Sequence, residues 1–224
     1  MSEAPIKVIG IIGGTGKEGK GLAYRWAKAG YTIFIGSRNI EKAQSAAEEV
    51  NGLLDNNCTV TGVENSTAAE KAEIAILTVP FSAHQGMLET IKNEVQGKIL
   101  IDVTVPLVPP RVTRVQMPPA GSAALESQMI LGSEVRVIAA FQNISYEHLL
   151  HDDEVNCDVL VCGGDKAARG TVLQLVKDAG LVGWDAGPLE NSMVVEGMTS
   201  ILIGINKQYG VQSAGIRITG VPRE

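Results

Sequence analysis

An apolar run from Ile6 to Ile12 gives way abruptly to Gly13-Gly14-Thr15-Gly16 and then to a helix-forming stretch carrying Gly19 and Gly21. Few folds accommodate that order of events. Gly14, Gly16 and Gly19 stand at the G-x-G-x-x-G spacing, in which the first glycine allows a tight turn, the second lets the backbone approach a pyrophosphate, and the third lets helix pack on strand. The free amides of the helix N-terminus then face the phosphates. A glycine-rich turn also occurs where a helix merely packs closely on a strand, so the motif needs its context. The helix it opens ends at Ala29-Gly30, and a second apolar run, Tyr31 to Ile35, follows. Together these make a βαβ unit in the register that a dinucleotide site requires.

The end of the second strand reads Gly36-Ser37-Arg38. A site built for NAD places an Asp or Glu about 20 residues past the fingerprint, to accept hydrogen bonds from the ribose hydroxyls. No acid stands there. Ser37 offers a hydroxyl, Arg38 a planar guanidinium and Lys42, one turn into the next helix, an ammonium, which is the chemistry of a 2′-phosphate site and predicts NADP(H). The alternative is that Arg38 and Lys42 are solvated surface charges, as most basic side chains are.

The 224 residues suit one large α/β domain, or one domain with a small appendage. A net charge of −6 argues against a nucleic-acid surface. No apolar run reaches membrane-spanning length and no signal peptide is recognisable, so a cytoplasmic protein without membrane contact is expected. Cys58, Cys157 and Cys162 are odd in number and form no C-x-x-C pair, which predicts neither a zinc site nor a disulfide framework.

Further strands are predicted at 59–63, 74–79, 98–103, 135–140 and 159–162. Helices are predicted from Asn39, as cap, to Val50, from Ser82, as cap, to Val95, and from Asp165 to Gly180. Near-continuous apolar strands with helical crossovers imply a doubly wound, mostly parallel Rossmann-type sheet covered on both faces. Two segments break the rhythm. Residues 105–121 hold five prolines and form a long irregular loop, of the kind that is usually functional or mobile. A long helix over 189–209 and a short strand over 216–219 then make a C-terminal appendage, dividing the chain at 1–185 and 186–224. The helix groups Val194, Met198, Ile201, Leu202 and Ile205 on an apolar face, with Gly197 and Gly204 permitting close approach, which predicts a homodimer contact.

Ligands of open α/β sheets sit beyond the carboxyl ends of the strands. Those ends, Thr78 to Phe81, Asp102 to Pro106 and Phe141 to Ile144, are mostly apolar or amide. No Ser/His/Asp constellation is visible. His84, His148 and His151 are expected to be packing or surface residues that tolerate replacement, and Asp102 is either a catalytic acid or a turn or cap acceptor. Oxidation of an alcohol needs a group to take the hydroxyl proton. Hydride exchange between two ring cofactors needs only proximity and orientation, which fits side-chain amides at Gln142 and Asn143 and an apolar backing at Ile144, with no catalytic side chain.

The runs Gly13-Gly14-Thr15-Gly16 through Gly21-Leu22-Ala23, Ile35-Gly36-Ser37-Arg38 and Glu41-Lys42-Ala43 resemble those of the NADPH-dependent coenzyme F-420 (F420) reductases, or F420:NADP oxidoreductases. Leu77-Thr78-Val79-Pro80, Val159 to Gly163 and Asp185-Ala186-Gly187-Pro188-Leu189-Glu190-Asn191-Ser192 extend the resemblance over nearly the whole chain. It implies NADP(H) and coenzyme F420 as the two cofactors. It places Gly14, Thr15, Gly16 and Lys17 at the pyrophosphate, and Ser37, Arg38 and Lys42 at the 2′-phosphate. Pro80, Phe81 and Val105 would line the nicotinamide pocket, while Gln142, Asn143, Ile144 and Thr199 would touch the deazaflavin. Two other functions share the scaffold: reduction of a different acceptor, such as a flavin or ferric chelate, and non-catalytic sensing of NADP(H).

Overall fold

The structure is a computed structural model and describes residues 7–54, 60–150 and 154–222. Ile6, Cys58, Thr59 and His151 lie outside those residues. Eight strands, β1 (Val8–Ile12), β2 (Thr32–Ser37), β3 (Val60–Glu64), β4 (Ile74–Leu77), β5 (Ile99–Asp102), β6 (Arg136–Ala139), β7 (Asp158–Gly163) and β8 (Val182–Asp185), form one sheet in the order β3-β2-β1-β4-β5-β6-β7-β8. Every neighbouring pair is parallel except β6 with β7. The chain builds outward from β1 to β3, then returns to the other side of β1 to lay down β4. That reversal opens a crevice at the carboxyl ends of β1 and β4.

Helices α1 (Lys17–Lys28), α2 (Ile40–Asn51), α3 (Asn65–Lys71), α4 (Phe81–Ile91), α5 (Ala123–Leu131), α6 (Lys166–Asp178) and α7 (Ser192–Tyr209) cover the sheet. The period of two along each strand sorts the core into two layers. On one face Ile9, Ile11, Ile33, Ile35 and Ile101 pack with Leu22, Trp26, Val172 and Leu175 of α1 and α6. On the other, Leu77, Leu100 and Val137 pack with Leu88, Ile91 and Leu131 of α4 and α5. Gly10 points to the second face, where a Cβ would strike the Ala68 carbonyl, so α3 lies directly against β1. The buried Trp26 indole donates to the Leu175 carbonyl at 2.9 Å and meets the Phe141 ring edge-on, which satisfies its one polar atom.

Asn39 caps α2 and Asp165 caps α6 through their side chains, as their place before the helices predicts. Ser82 does not cap α4. Pro80 holds the extended cap position and the helix starts at Phe81, one residue before Ser82, then ends at Ile91 rather than Val95. Nor is there a strand over 216–219. The Asp158 amide donates to the Ile216 carbonyl at 2.7 Å, but the amides of Ile216 and Ile218 donate to Cys157 Sγ and Asp158 Oδ2, so side chains replace the ladder. Strand β8 and the short helix α3 are found where the sequence pattern marked neither: β8 has four residues including a glycine, and α3 is seven residues of small and polar character. Cys157 and Cys162 are buried free thiols. Among the described residues no helix is long and apolar enough to cross a membrane.

Candidate active site

The glycine turn after β1 is fixed from two sides. Gly13, at φ +72, donates its amide to Asn65 Oδ1 at 2.9 Å, and Gly14 donates to the Gly36 carbonyl at 3.0 Å. Gly16 occupies the N-cap of α1 with no side chain capping the first turn, leaving those amides for an anion. A Cβ at Gly16 would meet nothing within 4 Å, whereas one at Gly19 would lie 2.5 Å from Gly14 Cα. The turn is thus open at its second glycine and closed at its third. Asn65, the first residue of α3, is a site residue the sequence reading missed; its side chain also approaches Gly36 closely enough that a Cβ there would sit 2.8 Å from Oδ1.

At the end of β2, buried Ser37 accepts the Asn39 amide at 3.2 Å, and Asn39 Oδ1 accepts the Lys42 amide at 2.8 Å. Arg38 and Lys42 are exposed on either side of that cap. Lys17 stands at the mouth of the turn, 4.7 Å from the Tyr146 ring centroid and 3.8 Å from Glu147.

A cleft of about 810 Å³ runs from this turn across the carboxyl ends of β4, β5 and β6 to α7. It gathers Thr15, Gly16, Pro80, Phe81, Val105, Gln142, Asn143, Ile144 and Thr199. Gly14 lies within the same turn, while Ser37, Arg38, Lys42 and Lys17 are not part of the cleft wall. The proline-rich loop supplies Leu107, Pro109 and Val112 to the wall, and the segment after α7 supplies Gln212 and Ala214. Glu18 also borders the cleft, and burial pushes its carboxyl up to about 8, so at neutral pH it brings little negative charge to the anion cradle.

The floor is built from polar groups with one end tied down. Gln142 Nε2 donates to the Asp102 carbonyl at 2.7 Å; Asn143 Nδ2 donates to the Val195 carbonyl at 2.9 Å and to Thr199 Oγ1 at 3.2 Å. Carbonyls only accept, which fixes both amides with nitrogen inward. Gln142 Oε1, Asn143 Oδ1 and the Thr104 hydroxyl are left buried and unpartnered, a costly state that ligand N–H donors would relieve. Phe141, immediately before these amides, holds φ +74. For a non-glycine residue that is strained, and such strain gathers at functional sites. Thr104 and the Phe141 turn carry no sequence signal of their own.

His84 is a packing histidine, one of the two placements expected of it, and its packing is polar. It is wholly buried, with Nε2 2.8 Å from Asp102 Oδ2 and Nδ1 3.2 Å from Glu126 Oε1, and Ser127 donates to the same Asp102 oxygen at 2.6 Å. His84 comes from α4, Asp102 from β5 and Ser127 from α5, so no local spacing could have joined them. Burial works to lower the His84 pKa, but Asp102 and Glu126 outweigh it and raise it; Asp102, despite its burial, is held below the usual carboxylate range by the side chains of His84, Ser127 and Thr104. Asp102 Oδ1 also accepts the Thr104 amide at 2.9 Å, as a turn acceptor at a strand end does. His148 is half-buried and gives its carbonyl to Arg25 at 2.7 Å.

The parallel order about β1, a glycine turn at the reversal point and a deep cleft beyond it define a Rossmann-type nucleotide-binding protein. The profile of the family described as NADP oxidoreductase, coenzyme F420-dependent, matches residues 8–106. The F420-dependent NADP reductase of Methanocaldococcus jannaschii is 39% identical over 221 residues, 95% of this chain and 98% of that one; that of Methanothermobacter marburgensis is 40% identical over 221 residues, 96% and 99%. The chain belongs to the coenzyme F420-dependent NADP oxidoreductase family. In fold it is similar to a putative F420-dependent NADP reductase from Arthrobacter, with a TM-score of 0.78 at 22% identity, covering 96% of this chain and 99% of that one. A more distant likeness is the rat metalloreductase STEAP3, 27% identical over 88% of this chain but only 37% of that protein.

Proposed function

We propose that the protein transfers a hydride reversibly between NADP(H) and coenzyme F420, each bound in the cleft described. When bound, the nicotinamide gives or takes the hydride at C4 and the deazaflavin exchanges it at C5. The amides at the start of α1 take the pyrophosphate, with Gly14, Thr15, Gly16 and Lys17 around it. Ser37, Arg38 and Lys42 take the 2′-phosphate. Pro80, Phe81 and Val105 support the nicotinamide, and Gln142, Asn143, Ile144 and Thr199 border the deazaflavin. The observation that carries this reading is the cleft itself: it runs from the glycine turn past the β4 and β5 ends to α7, and its lining combines apolar surface with buried polar groups that lack a partner. No side chain is assigned an acid or base role, because ring-to-ring hydride transfer asks for orientation and exclusion of water.

Residues 1–185 form the NADP-binding unit in this reading, and residues 186–224 an appendage that closes the far wall of the cleft. The exposed side of α7 pairs two copies as a homodimer. Two buried free thiols, Cys157 and Cys162, support a reducing cytoplasmic setting. The test mixes NADPH deuterated at C4 with oxidised F420 and follows visible absorbance and label. Deuterium on the reduced deazaflavin is the expected result. Washout of the label to solvent would overturn direct transfer, and an unchanged absorbance would move the function to another acceptor, such as a ferric chelate.

A further inference from the structure

Behind the cleft floor lies the buried cluster of His84, Asp102 and Ser127, none of which lines the cleft. Both imidazole nitrogens face carboxylates, so the doubly protonated ring is the form that donates on both sides. The titratable groups around it are Asp102 from β5, Glu126 from α5 and Glu196 from α7. Glu196 accepts the amides of Ala123 and Ala124 at 2.7 and 3.0 Å, and burial followed by the Asp102 charge pushes it up to about 8. Asp102 and His84 thus pair in the interior, with Glu126 on the other imidazole nitrogen and Glu196 close by.

Three connections run from this cluster into the cleft wall. Asp102 Oδ1 accepts the Thr104 amide at 2.9 Å, the Asp102 carbonyl accepts Gln142 Nε2 at 2.7 Å, and the His84 ring lies 5.8 Å, centroid to centroid, from that of Phe81. Each of Thr104, Gln142 and Phe81 lines the cleft. Two of them carry the unpartnered atoms of the floor, Thr104 Oγ1 and Gln142 Oε1.

Resting on the reading of the cleft as an NADP(H) site, we propose that His84, Asp102 and Ser127 are positioning residues for its ring end: they lock the β5 end so that Thr104 Oγ1 and Gln142 Oε1 stand as acceptors for the N–H donors of a planar heterocyclic ligand. The adenosine end, held by the glycine turn and the residues after β2, lies outside their reach. Disturbing the cluster therefore loosens the ring and spares the adenosine.

Titration calorimetry of wild type, Ser127→Ala and His84→Gln with NADPH and with adenosine 2′,5′-bisphosphate, which lacks the nicotinamide, tests this. Ser127→Ala removes one donor to Asp102 and leaves almost no cavity, so it keeps the test valid if His84→Gln fails to fold. In both variants NADPH should bind about fivefold more weakly, the effect of one lost hydrogen bond. The bisphosphate should be unchanged, and the fluorescence gain of bound NADPH should shrink. Equal weakening of both ligands, or of neither, in a variant that melts cooperatively would overturn the proposal. A wild-type protein that binds neither ligand would instead overturn the cofactor reading on which it rests.

Discussion

In the proposed reading of the site, Arg38 is the residue on which cofactor choice turns. It is exposed beside the capped start of α2, next to a Ser37 whose hydroxyl already holds the Asn39 amide. That arrangement presents a guanidinium fork on a rigid corner, and a 2′-phosphate is the dianion that fits it. Arg38→Ala should weaken NADPH by about 1.5–3 kcal/mol, the worth of a charged hydrogen bond, or roughly ten- to a hundredfold. NADH, which carries a neutral 2′-hydroxyl there instead of a phosphate, should bind with nearly unchanged affinity. Equal losses for both, measured by calorimetry, would mean that Arg38 serves the fold or the pyrophosphate instead. The position of Arg38 was legible because the strand and the fingerprint fix it within a few residues along the chain. The role of His84 was not, because its partners arrive from 18 and 42 residues away and nothing in their local pattern distinguishes a buried ion pair from surface charge.

At the scale of elements, α1 does two separable jobs through two glycines. Gly19 lets the helix lie on the turn; an alanine there would press its Cβ to 2.5 Å from Gly14 Cα, a backbone atom that cannot swing aside. Overpacking of that kind costs about 1–3 kcal/mol. Gly16 caps the helix and has open space where a Cβ would go. Gly16→Ser should leave the melting temperature unchanged or slightly raised, because serine is at least as good an N-cap. Its hydroxyl would claim the amides meant for phosphate, and NADPH binding should fall by about tenfold or more, the loss of one charge-assisted bond. Gly19→Ala should lower stability first, and binding only with it. If Gly16→Ser melts early and binds normally, the turn is a packing device and not a phosphate cradle. The alternation of strand and helix was readable for the same reason that these jobs separate: period-two burial and side-chain caps are local. Where side chains stand in for backbone partners, as Cys157 Sγ and Asp158 Oδ2 do for residues 216–218, pattern alone predicts a strand that is not there.

For the molecule as a whole, α7 decides what the cleft is made of and what covers it. Its inner side is committed within the chain: Leu202 is buried at the cleft, and a Cβ on Gly197 would come within 3.1–3.2 Å of Met117 and Val115 of the proline-rich loop. The close approach expected at Gly197 is thus made to its own loop. The outer side is different. Val194, Ile201, Ile205 and Tyr209 are all exposed, with Met198 half-buried among them, and their spacing of three, four and seven residues draws one apolar stripe along the helix. The helix of eighteen residues is about 27 Å long, and the stripe runs along most of it. A contiguous exposed patch of this kind is unusual on a monomer, and pairing it with its own copy across a twofold axis would cover it with self-complementary contacts. Sedimentation should give a dimer mass at micromolar concentration, and Ile201→Glu, which puts a charge into the middle of the stripe, should shift the protein to monomer without altering the cleft wall. Because the inner side of the same helix lines the far end of the cleft, the monomeric variant should keep its affinity for NADPH while losing rigidity at α7, seen as faster amide exchange there. A monomer mass that does not change with concentration in the unsubstituted protein would remove the dimer and leave the stripe without a partner.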